Sequence, residues 1–203
     1  MISANLTAFL YLVSGIFFIL ALRGLSSPKT SRQGNIFGIS GMAIAICVTL
    51  LSLEDMSILV NNSLFILGPI ALGGLVGAFI AARIAMTAMP QLVAGFHSLV
   101  GLSAVLIAIA AFYNPSSFGI GETGNIKLAS LIEMSLGASI GAITFSGSCI
   151  AFLKLQGLMS GSPITFKGQH ILNLLIGLSI VFLIIYLCFN QSEQLFWTIT
   201  VLS

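Results

Sequence analysis

The chain has 203 residues, of which 58% are hydrophobic and 6% charged, with a formal net charge of +2. Ordinary soluble domains carry roughly a quarter charged residues and keep polar outer helix faces, so this composition excludes a water-soluble globular domain. It also argues against a nucleic-acid partner, because the basic residues form no run longer than scattered single positions.

A membrane-spanning helix needs about 20 mostly apolar residues. Such stretches are predicted at about 4–22, 35–53, 64–82, 90–112, 128–153 and 171–189. No positive charge precedes the first and Arg23 follows it, which reads as a retained helix rather than a signal peptide. Helix three carries Gly73, Gly77 and Ala81, a stripe of small residues suited to close packing. Helix four places Ala94, His97, Gly101, Ala104 and Ala108 at steps of three and four, hence on one face. Helix five does the same with Glu133, Gly137, Gly141, Thr144, Ser148 and Ala151. After helix six, the segment LFWTITVLS runs from Leu195 to Ser203, roughly half the length of a span. The fold class is therefore all-α: a polytopic transmembrane bundle of about six complete helices with a truncated seventh, residues 1–203 forming one membrane domain.

Orientation follows from Lys and Arg. The loops after helices one, three and five hold Arg23, Lys29, Arg32, Arg83, Lys154 and Lys167, and those after two, four and six hold Glu54, Asp55, Glu122, Glu193 and Lys127. Positive residues favour the cytoplasmic side, so the odd loops are expected inside and the N-terminus outside.

Three polar residues stand out within the spans. His97 lies about seven residues from the cytoplasmic end of helix four, roughly 10 Å deep. Ser148 is expected at a similar depth on helix five, and Glu133 nearer its outer end. Stripes of glycine and alanine usually mean packing, and a serine or threonine can bond the carbonyl a turn earlier. An ionised group in the bilayer costs a few kcal/mol even on lenient scales, which makes an interior-facing ionisable residue a functional candidate. Histidine as a type gains and loses a proton near neutrality, so an imidazole flanked by hydroxyls suits proton relay. His170 sits at a loop or helix start, where a solvated role is the simpler reading. Cys47, Cys149 and Cys188 lie far apart in apolar stretches, as small buried hydrophobes do, and no metal cluster, phosphate loop or dinucleotide fingerprint accompanies them.

The stretches LALRGLSSPKTSRQGNIFGISGMAIAI, MTAMPQLVAGFHSLVGLSAVL and IGAITFSGSCIAFLKLQG resemble the membrane part of the proton-translocating nicotinamide nucleotide transhydrogenase β subunit. The resemblance covers nearly the whole chain. It implies an inner-membrane complex that transfers hydride between NADH and NADP⁺ and couples the transfer to proton movement. In that family NAD(H) binds the α subunit and NADP(H) a C-terminal domain of the β subunit, so no cofactor is expected on this chain. The expected partners are the α subunit, the remaining β-subunit helices with their nucleotide domain, and a second copy of the assembled complex. His97 matches the family's histidine of proton translocation, Ser148 a serine of a neighbouring helix, and Glu133 a glutamate of that same helix. The further helices and the NADP(H) domain have no counterpart among these residues. A stand-alone proton-permeable protein and a non-functional remnant of the subunit are the alternative expectations.

Overall fold

The computed structural model describes residues 3–27, 29–52 and 60–203. Six of its helices are long and apolar enough to cross a membrane: α1 (Ala4–Leu25), α2 (Ser31–Leu51), α3 (Ser63–Arg83), α4 (Met89–Tyr113), α5 (Leu128–Leu155) and α6 (Gln169–Asn190). A seventh helix, α7 (Glu193–Leu202), has 10 residues. The architecture is the expected all-α transmembrane bundle. Boundaries differ where polar residues continue a helix: α2 begins at Ser31 rather than at position 35, because its backbone ladder extends past the apolar segment. The acidic pair Glu54 and Asp55, expected after helix two, lies outside the described residues. The chain divides into two compact units, residues 1–81 and 82–203.

In the first unit α1 and α2 form an antiparallel hairpin. A Cβ on Gly24 would stand 2.5 Å from the Gly34 Cα, and one on Gly34 would stand 2.6 Å from the Leu25 nitrogen, so the two backbones touch there. Without a hydrophobic driving force in lipid, such close approach and interhelical hydrogen bonds supply the attraction. The buried Ser14 hydroxyl donates to the Gly41 carbonyl at 2.7 Å, and the Tyr11 and Thr49 hydroxyls bond at 2.8 Å. No residue of α3 is buried, and a Cβ on Gly73 or Gly77 would meet nothing described within 4 Å. Among the described residues, no neighbour packs against the stripe at Gly73 or Gly77.

The second unit is built on the antiparallel pair α4–α5. Its core lies at the end where α4 passes into a short antiparallel hairpin, β1 (Gly121–Glu122) and β2 (Asn125–Ile126). Phe112 of α4 stacks on Phe196 of α7, with ring centroids 4.6 Å apart and planes 7° from parallel. Phe196 and Ile199 are fully buried, so α7 is a packed element rather than a loose tail. The Gln191 side-chain amide closes the corner between α6 and α7: its oxygen accepts from the Ile126 nitrogen at 2.9 Å, and its nitrogen donates to the Ile126 carbonyl at 3.2 Å. Tyr113 donates to the Glu193 carboxylate and accepts from the Trp197 indole at 3.0 Å.

Gln191 is the one non-glycine residue with positive φ among those described, at 43°. Asparagine tolerates that conformation well but is too short to reach both Ile126 groups. Gln191→Asn is therefore expected to cost about 2 kcal/mol, since Ile126 is buried and would be left with an unpaired N–H and carbonyl. Hydrogen exchange at the Ile126 amide should accelerate; unchanged exchange would show that the clamp contributes nothing.

Candidate functional site

The site is organised by the crossing of α4 and α5. A Cβ on Gly101 would stand 2.6 Å from the Phe145 nitrogen and 2.7 Å from the Gly141 carbonyl oxygen. A Cβ on Gly141 would in turn stand 2.8 Å from the Gly101 carbonyl oxygen. Only a residue without a side chain fits at either position. Toward the start of α4, Gly95 faces the Phe152 ring with 3.5 Å of room for a Cβ, and Gln91 Nε2 donates to the Leu155 carbonyl at 3.2 Å. These contacts pair 101 with 145, 95 with 152 and 91 with 155. Ser148 falls between the first two and is therefore level with residues 97–98 of α4.

Ser148 is buried, whereas His97 is exposed on α4. On the face expected for α4, Gly101 and Ala108 are buried, Ala94 and Ala104 half-buried, and His97 lies outside the contact. The reason is geometric. A seam between two helices uses two adjacent rows, and the row 94–101–108 can be completed by 97–104–111 or by 91–98–105–112. Near the level of His97 the second row wins: Ser98 is buried, with its hydroxyl donating to the Gly95 carbonyl at 2.7 Å. The imidazole is thus held beside the seam, on a face that also exposes Val93, Phe96 and Val100.

Glu133 is exposed and lines a groove of about 390 Å³ with Ser130, Gly137, Ala104, Ala108 and Ala111. That level is about 11 to 14 residues along α4 from His97, roughly 16–21 Å. The structure brings His97 and Ser148 to one depth and leaves Glu133 at the other end of the pair. His170, the second residue of α6, is exposed. Among the described residues, no group of three His, Cys, Asp or Glu is placed to hold a metal ion.

The hydroxyls divide into two kinds. Those of Ser98, Ser103, Ser135 and Ser146 donate to the carbonyl three or four residues earlier, at 2.7 to 3.2 Å. Thr144 and Ser148 make no such bond among the described residues. A hydroxyl free to rotate can accept from one neighbour and donate to another, as a relay requires. Sequence reasoning missed Gln91, Gly95, Ser98 and Phe152, which together form the cross-contact at this level. No signal in the sequence set the 91–98–105–112 row apart from 97–104–111. It also missed the buried Ser135 and Ser139 on another face of α5.

Six helices long and apolar enough to cross a membrane, two of them in backbone contact at Gly101 and Gly141, define a multi-pass α-helical membrane protein. The sequence model of the NAD(P) transhydrogenase beta subunit matches residues 7–203, and the chain belongs to that family. Two sequences named NAD(P) transhydrogenase subunit beta, both from Rhodospirillum rubrum, are 56% identical over 166 residues. The match takes in 82% of this chain and 35% of each relative, so the chain spans about a third of the length of the relatives it matches.

Proposed function

We propose that the chain forms part of the proton path of a transhydrogenase, coupling hydride transfer between NADH and NADP⁺ to proton movement across the inner membrane. The observation that supports this reading most directly is an imidazole in the apolar length of α4, level with the non-back-bonded Ser148 hydroxyl of α5. In this reading His97 is the proton relay, Ser148 a hydrogen-bonding neighbour, and Glu133 a carboxylate at the opposite end of the path. The chain itself holds no nucleotide: NAD(H) belongs to an α subunit and NADP(H) to a further part of the β subunit, and the assembled complex pairs with a second copy. The N-terminus faces the periplasm, an orientation supported by the distribution of Lys and Arg.

The test is a chimaera. Residues 7–203 replace the matching segment of the Rhodospirillum rubrum β subunit, which is then expressed with its α subunit. Inverted vesicles should show transhydrogenation coupled to proton uptake, and a cysteine placed at Ser31 should react with impermeant reagent in these vesicles but not in intact cells. A chimaera that assembles and transfers hydride without moving protons would overturn the proposal.

A further inference from the structure

The turn between α1 and α2 concentrates positive charge. Arg23, Lys29 and Arg32 lie within ten residues and all three are exposed, whereas the first acidic residue of the chain is Glu54, beyond the far end of α2. The Gly24–Gly34 backbone contact fixes the two helix ends from which Arg23 and Arg32 project. The Thr30 hydroxyl donates to the Gly24 carbonyl at 2.7 Å and ties the turn to α1. Three exposed cations thus lie at one turn, with no acidic residue in the hairpin to offset them.

Directly beside this turn begins an apolar furrow of about 460 Å³. It starts at Leu25 and Gly34 and continues along α2 past Gly38, Ile39 and Ala43 to Ile46. From Gly34 to Ile46 a helix rises roughly 18 Å, close to one leaflet of a hydrocarbon core about 30 Å thick. The Asn35 side chain lines the furrow at its mouth, where an amide can donate to an ester or phosphate oxygen.

We propose that the α1–α2 hairpin is a binding site for one anionic phospholipid, whose phosphate is held by Arg23, Lys29 and Arg32 and whose acyl chain lies along α2 between Gly34 and Ile46. Charge complementarity selects the headgroup, and continuity of the cationic turn with a leaflet-length furrow selects a lipid over a free anion or an acidic peptide. Basic residues at a membrane surface each strengthen binding to anionic lipid about fivefold. A topology signal alone would need the charges but not the furrow.

The chain purified in neutral detergent is titrated with phosphatidylglycerol, phosphatidylcholine, inorganic phosphate or a polyglutamate peptide, and binding is read by native mass spectrometry. A single phosphatidylglycerol should bind, with phosphatidylcholine at least tenfold weaker. Combined Arg23→Gln, Lys29→Gln and Arg32→Gln should weaken phosphatidylglycerol about tenfold or more. Lys154→Gln with Lys167→Gln, which removes charge elsewhere, should change it less than about twofold. Ala43→Trp fills the furrow with every charge intact and should also weaken the lipid, which keeps the test valid if the triple variant does not fold. Equal binding of phosphatidylcholine, equal loss in the Lys154/Lys167 pair, no loss on Ala43→Trp, or displacement of the lipid by inorganic phosphate or polyglutamate would each overturn the proposal.

Discussion

In an assembled transhydrogenase, His97→Asn is expected to lower coupled proton transport about a hundredfold, the lower end of what a positioned acid–base group contributes. Asparagine preserves approximate size and some hydrogen bonding but cannot take up a proton near neutrality. Insertion should survive the change, because His97 lies beside the α4–α5 seam and packs against neither glycine of the crossing. Proton pumping in reconstituted vesicles and reverse transhydrogenation should fall together, while subunit level and nucleotide binding stay constant. The joint loss separates a relay from a packing residue, whose replacement would reduce assembled protein instead. Normal, normally pH-dependent pumping by His97→Asn would remove His97 from the mechanism.

Gly101→Leu should destabilise the second unit by about 3 kcal/mol or more, at the upper end of the range for overpacked positions. Even the first carbon of the new side chain would stand 2.6 Å from the Phe145 nitrogen and 2.7 Å from the Gly141 carbonyl oxygen, which are backbone atoms that cannot rotate away. The helices would have to separate. That separation would shift Ser148 relative to α4 and expose the Ser98 side of the seam. Gly147→Ala is the matched control, because a Cβ there meets nothing described within 4 Å and alanine is the better helix former. Thermal unfolding in detergent should show a large loss for the first variant and none for the second. Equal stability of the two would mean that α4 and α5 are not held at the crossing.

Membrane class and span number were legible in the sequence, because bilayer thickness demands a long apolar run whatever the neighbours do. The small residues of α4 and α5 also announced close packing. Which side of each helix would pack was another matter. On α4 the row 94–101–108 is compatible with either His97 or Ser98 as its companion, and the sequence offers no reason to prefer one. The choice depends on how α5 crosses, through Gly141 against Gly101 and Phe152 against Gly95. The same limit applied to α3, whose Gly73 and Gly77 promised a partner and face open space among the described residues.

The short apolar run after Leu195 looked like half a span, and nothing local revealed that Phe196 would stack on Phe112, more than 80 residues earlier in the chain. Nor could spacing show that Gln191 would hold Ile126. Hydropathy is a property each segment carries alone and can be read residue by residue. Helix rotation and the Gln191 clamp are relations between segments distant in sequence, and they exist only once the backbones are in contact.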